Sequence, residues 1–312
     1  MPLWNDLYAT YSIVAHDAQT GQFGVAVQTH QVAVGRRILL ALPGYGALIT
    51  QSLANLKFVP MAEPMLRLEM PPTDILRALI ASDSDEHRRQ VALVSRHGAA
   101  AHTGSGCIRE AGHYVGNTYS VQANMMTRPT VIEAMRATFE TATGDLAARL
   151  VAALRAAQAE DGDIRGAQSA ALKVVSADKA THPLETIYDL RVDEHAYPVE
   201  ELQRLVIIRR AQLIDEEGHM ALERGDLTLA LSLFEEARRL TPDQEELAFW
   251  QGFALAERGY AEAGAHILWQ GIARDERAAH WLDLIMRLAD CRLNAREGSP
   301  EALLAAVNRL RP

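Results

Sequence analysis

Cys107 stands five residues after His102 and six before His113. A thiol with an imidazole in reach is a nucleophile–base pair, so this stretch is a candidate for acyl chemistry if paired strands bring the residues together. The competing reading is a small cysteine packed as an apolar residue. The run Thr103-Gly-Ser-Gly-Cys107 is not the strained serine turn of strand-to-helix hydrolases, because glycine is missing at both ends. A second concentration of polar residues, Asp163, Arg165, Gln168 and Ser169, runs into an extended stretch and fits a salt-bridged turn. Eleven histidines include no H-E-x-x-H and no pair at helical spacing, so neither a metal nor any other cofactor is expected. With only Cys107 and Cys291, there is no disulfide framework and no thiolate metal site.

Alternation of apolar and polar residues predicts strands at 10–16, 23–29, 46–51, 90–95, 99–103, 118–124, 169–175 and 185–192. Helical periodicity predicts helices near 58–68 and 74–81, the second capped by Thr73, and over 129–141 and 145–159. Strands, a helix pair, strands, a helix pair and strands again suit an α+β domain. Two stacked antiparallel sheets would be covered by helices on both outer faces, a four-layer αββα sandwich. A doubly wound nucleotide fold would alternate strand and helix singly, and Gly44-Tyr-Gly46 is a weak glycine signal for one.

After Ala211 the chain repeats itself. Gly218 and Gly252 lie 34 residues apart, as do Gly225 and Gly259, which is the tetratricopeptide period. The first copy adds Ala230, Phe234, Ala237 and Pro242 at the offsets that period expects; the second has Gly264, Leu268 and Gly271. A third, degenerate helix pair spans 279–309. The expected organisation is an extension over 1–9, the sandwich over 10–207 and an all-α tetratricopeptide-like tail over 208–312. Two or three repeats bury little by themselves, so the tail is expected to pack on the first domain or to self-associate into a homo-oligomer.

The chain carries a net charge of −9, which argues against general affinity for nucleic acid or anionic lipid. From Ala211 onward 18 acidic residues stand against 11 arginines, so most of that charge belongs to the tail. No apolar run approaches membrane-spanning length, and the first residues lack a basic stretch followed by an apolar one. A cytoplasmic protein without membrane or nucleic-acid partners is the expectation.

Several segments, read in order, carry a resemblance: Thr10-Tyr-Ser-Ile-Val-Ala-His-Asp17, Gly24-Val-Ala-Val-Gln28, Thr50-Gln-Ser-Leu-Ala-Asn55, Ala101-His-Thr-Gly-Ser-Gly-Cys107, Val121-Gln-Ala-Asn124, Gly166-Ala-Gln-Ser-Ala170 and Asp189-Leu-Arg-Val-Asp193. They resemble the domain-of-unknown-function-1028 (DUF1028) family over about residues 10 to 207, a family placed by fold among the N-terminal-nucleophile hydrolases. The resemblance implies cofactor-free hydrolysis of a small amide or related C–N bond, with Thr10 as nucleophile. A free α-amine, of ordinary pKa about 7.7–8.0, can then serve as the hydroxyl's base. Nine residues precede Thr10, and its nitrogen is an amide until they are removed.

Donors for a developing oxyanion are sought in Asn124, in Asn55 and in the backbone N–H groups of Gly104-Ser-Gly106. Asp163 and Ser169 resemble in character the acid and serine that support the nucleophile in the proteasome branch of that superfamily. Arg165 and Asn55 are assigned to substrate binding. The alternative function is an inactive hydrolase fold whose tail recruits a protein partner, with a basic ligand favoured by the tail's acidity.

Overall fold

The computed structural model describes residues 7, 8, 10–293 and 296–311. Of the expected extension over 1–9, Leu7 and Tyr8 are described and the rest lies outside the described residues. The chain divides into two compact units, Met1–Val206 and Ile207–Pro312.

The first unit holds strands β1 (Leu7–Tyr8), β2 (Thr10–His16), β3 (Phe23–Thr29), β4 (Leu39–Leu42) and β5 (Gly46–Leu53), then helices α1 (Phe58–Arg67) and α2 (Pro72–Ala81). Strands β6 (Arg89–Ser95), β7 (Gly98–Thr103), β8 (Gly112–Val115) and β9 (Tyr119–Asn124) follow. Helices α3 (Val131–Thr141) and α4 (Leu146–Ala159) and strands β10 (Ser169–Val175) and β11 (Tyr188–Val192) complete it. One sheet has five strands in the order β1-β5-β6-β7, with β4 beside β5, and the other six in the order β11-β10-β3-β2-β9-β8. Every pairing is antiparallel. An α+β unit built on two antiparallel sheets is what the alternation predicted.

The period of two along β2 sorts its side chains to opposite faces. Tyr11 and Ile13 turn toward the helices; the Tyr11 hydroxyl donates to Gln158 Oε1 of α4 at 2.9 Å. Thr10, Ser12 and Val14 turn toward the other sheet, where Val14 joins Val25, Val27, Ile49, Ala92 and Val94 in a shared core. Each fully buried Val or Ile there is worth about 1.5–3 kcal/mol. Helices α1 and α2 bury Phe58, Leu66, Ile75 and Leu79 against Leu48, Val91 and Leu93 on the far face of the five-stranded sheet. On the six-stranded sheet, Gly24 lets α4 come close: a Cβ there would stand 2.6 Å from Leu150 Cδ1.

Some local expectations needed correction. Helix α2 begins at Pro72 with Pro71 as its N-cap, and Thr73 makes no cap, because proline at the first helical turn needs no partner for a missing N–H. Strands β1, β4 and β8 were not foreseen.

The second unit is helical. It takes in the later part of α5 (Pro198–Glu223) and α6 (Leu227–Leu240), α7 (Glu245–Glu257), α8 (Ala261–Ile272), α9 (Ala278–Asp290) and α10 (Ser299–Leu310). No described helix is long and apolar enough to cross a membrane.

Candidate active site

Register places four polar residues in one row across the six-stranded sheet. Ser169 of β10 lies opposite Thr29 of β3, Thr29 opposite Thr10 of β2, and Thr10 opposite Asn124 of β9. Directly paired residues share a face, and four strands at about 4.8 Å spacing span the row. All four residues are fully buried. The facing row in the five-stranded sheet is Gln51, Gln90 and Thr103, from β5, β6 and β7.

Hydrogen bonds join the two rows. Gln51 Nε2 donates to the Thr10 carbonyl at 3.2 Å and to Gln90 Oε1 at 2.7 Å. Asn124 Nδ2 donates to the same carbonyl at 3.5 Å and to Gln90 Oε1 at 2.9 Å. Deeper in, Gln122 Nε2 donates to Ser12 Oγ and Ser12 Oγ to Gln51 Oε1, each at 2.6 Å. Pairing of this kind offsets the cost of burying an amide. The inward positions of β9, Ser120, Gln122 and Asn124, are all polar and fully buried, so the core between the sheets has an apolar half and a polar half.

Backbone strain gathers here too. Ser52 (φ 64°) and Met125 (φ 58°) directly follow Gln51 and Asn124. A side chain in the left-handed region costs about 1–2 kcal/mol and persists where its surroundings hold it, often beside a functional site.

On the other flank, the Asp163 carboxylate has no exposed surface and pairs with Arg165, Nη2 to Oδ2 at 2.8 Å. Its Oδ2 also accepts from the His30 N–H at 3.2 Å, and its Oδ1 from the Arg165 N–H at 2.9 Å. Arg165 Nη2 reaches Thr29 Oγ1 at 3.5 Å, one strand from Thr10. Ser169 Oγ donates to the Gln31 carbonyl and accepts from the Val34 N–H at 3.1 Å. Asp163 and Ser169 thus both brace the turn after β3.

Asn55 stands elsewhere. Its Nδ2 donates to Asp83 Oδ2 at 2.7 Å and its Oδ1 accepts from the Lys57 N–H at 3.1 Å. Arg89 Nε donates to the same Asp83 oxygen at 2.8 Å. Burial pushes the Asp83 carboxyl up, but hydrogen bonds from Arg89, the Asp85 N–H and Asn55 outweigh it and hold the pKa at about 2. A carboxylate is the stronger acceptor, and it ties the Asn55 side chain into this corner.

The residues of the candidate thiol–imidazole pair have other partners. His102 Nε2 lies 3.0 Å from the Glu86 carbonyl, His113 Nδ1 lies 2.8 Å from Thr103 Oγ1, and the Cys107 thiol faces the Arg89 carbonyl at 3.5 Å. Burial pushes the Cys107 pKa up, which keeps it a thiol. The N–H groups of Gly104 and Gly106 bond the carbonyls of Arg89 and His87 at 2.9 and 2.6 Å and are not oxyanion donors. Among the described residues no group of three or more His, Cys, Asp or Glu could hold a metal ion.

Thr10, Asn124 and Ser169 stand out singly in the sequence, and the fold aligns them. Thr29, Gln51 and Gln90 do not stand out. Polar residues on alternate strand positions signal a solvent face when read alone, and nothing local shows that a second sheet covers them.

Comparison with known proteins bears on the first unit. The model of a family described as "Family of unknown function (DUF1028)" matches residues 10–202. The crystal structure of protein SPO2555 from Silicibacter pomeroyi, which carries the same family model, is similar at 30% identity and a TM-score of 0.57. The match covers 63% of this chain and 87% of that one. No curated protein matches.

Proposed function

The chain belongs to the DUF1028 family of unknown function, and from that premise we propose that residues 10 to about 207 form an N-terminal-nucleophile-hydrolase-like αββα sandwich that cleaves a small amide. One observation carries this reading: Thr10, the first residue of β2, stands between Thr29 and Asn124 in the buried polar row.

Once residues 1–9 are gone, the Thr10 amine takes the hydroxyl proton as Oγ adds to the amide carbon. The leaving amine departs with that proton, and water then releases the acyl group from Thr10. Asn124 is the side-chain donor nearest to Thr10 in register; its long 3.5 Å bond to the Thr10 carbonyl is the one that would give way to the developing oxyanion, while Gln90 holds its other hydrogen. The Asp163–Arg165 pair positions Thr29 and the turn after β3, and Arg165 meets the substrate at the edge of the row. Leu7 and Tyr8 pair with Leu53 and Ser52 in one sheet, whereas Thr10 begins a strand of the other. The chain is therefore anchored on both sides of the bond that must break.

A chain produced with Thr10 as its first residue, compared with the longer chain on a panel of small amides, tests the proposal. Turnover by the shorter chain, and by the longer chain only once it has lost residues 1–9, is expected, and Thr10→Ala should abolish it. Equal turnover by Thr10→Ala would remove Thr10 from the chemistry.

The tail supports a second role, tetratricopeptide-like binding of a protein partner or of another copy. Its repeated glycines take matching places: Gly218 and Gly252 lie within helices, and Gly225 and Gly259 turn the chain at φ 83° and 89°. Pull-down with a catalytically dead Thr10→Ala chain separates this scaffold role from hydrolysis. A cytoplasmic location is part of the proposal.

A further inference from the structure

We propose that Thr103 and His113 form a second acyl-transfer site, a hydroxyl–imidazole pair facing an open cleft of about 570 Å3, whose substrate is a small activated ester. This inference does not depend on the role given to Thr10.

Thr103 is the last residue of β7 and half-buried; His113, on β8, is exposed. Their Oγ1 and Nδ1 atoms are 2.8 Å apart, within reach for proton transfer. The surrounding network is compatible with Thr103 donating to His113 in the ring tautomer that carries its hydrogen on Nε2. Gln90 Oε1 accepts from Gln51 and Asn124, which fixes that amide's orientation. Its Nε2 therefore points the other way and shares its two hydrogens among Thr103 Oγ1 at 2.8 Å and the carbonyls of Ala123 at 2.9 Å and Gly112 at 3.0 Å. With one lone pair so occupied, the Thr103 hydrogen is free to lie on His113 Nδ1 when that ring is neutral. Although the residue as a whole is exposed, the part of its ring turned to the protein loses hydration; this, with a smaller contribution from His102, lowers the His113 pKa and favours the neutral ring at pH 7.

The cleft also holds Cys107, Arg109 and Glu110. Cys107 faces the Arg89 carbonyl, so the hydroxyl, not the thiol, has the base. The exposed Arg109 is the cation of the cleft and can meet charge developing on an attacked carbonyl oxygen. Access differs from that at Thr10: this hydroxyl needs no cleavage of the chain to gain a base.

In the reaction, Thr103 Oγ adds to the ester carbonyl as its proton passes to His113 Nδ1. The C–O bond to the leaving alcohol breaks, and the alkoxide takes that proton. Water, deprotonated by His113, cleaves the acyl-threonine, releasing a carboxylic acid and restoring the hydroxyl.

The full chain mixed with p-nitrophenyl acetate provides the test, with nitrophenolate release followed and the acetylated peptide mapped by mass spectrometry. Acetylation on Thr103, with a burst that falls at least ~100-fold in Thr103→Ala and in His113→Gln, is expected. Thr103→Ser should keep the burst, which shows that the site rather than the fold was lost. Mapping the acetyl group to Thr103 rather than to Thr10 tells failure here apart from failure of the Thr10 proposal. No acetylation of the native chain, acetylation on Cys107 instead, or an undiminished burst in Thr103→Ala would each overturn the proposal.

Discussion

Gln90 is the side chain on which most of the polar network converges: it accepts from Gln51 and Asn124 and donates to Thr103, Gly112 and Ala123. A buried amide with this many partners costs more to remove than an isolated one, because each partner is left with an unmet donor or acceptor. Gln90→Leu is therefore expected to lower stability by about 3 kcal/mol or more, read as a shift in the urea midpoint. A loss under about 1 kcal/mol would mean the network is looser than its distances imply. At this level the sequence was partly legible. Thr10, Asn124 and Ser169 were recognisable as polar residues at strand ends, but their alignment is a matter of register, which pairs residues more than a hundred positions apart. The partner of Asn55 was not legible either, since Asp83, which accepts from its amide, lies 28 residues on.

Between α2 and β6, the Asp83 corner ties the end of one element to the start of the next through Arg89 and Asn55. Its folded pKa of about 2 lies below the ordinary aspartate value of about 3.9. The stabilisation is therefore fully present above about pH 4 and is lost as the pH falls toward 2. About 2 kcal/mol is at stake. Asp83→Asn should destabilise the protein at neutral pH by a similar amount and flatten the acid limb of its stability curve between pH 4 and 2. An unchanged acid limb would contradict the assignment. Elements themselves were the most legible feature, because apolar alternation persists through β2, β3, β5, β6, β9 and β10. Strand β4 has only four residues, too few to show a period. Strand β8 is as short, and its last three residues are exposed, so it lacked an apolar face to read.

Each of the two units has its own core, and that of the second includes Phe234, fully buried with Ala221, Ala230, Ala248 and Leu255. A Cβ at Gly218 would lie 2.7 Å from the Phe234 ring, which explains why the repeat pairs a glycine with an aromatic. Phe234→Ala should cost about 3–5 kcal/mol. Calorimetry should show one transition lowered and the transition of the first unit unmoved; a single merged transition would contradict independent cores. The 34-residue period made the helical tail visible in sequence, whereas nothing in a repeat tells what its surface binds.

The account rests on a free amine at Thr10. Intact-mass measurement of the purified full-length chain during incubation, beside its Thr10→Ala variant, addresses this most directly. Loss of residues 1–9 from the native chain, with the variant left whole, is the predicted result. A native chain that keeps all nine residues while hydrolysing a small amide would contradict it.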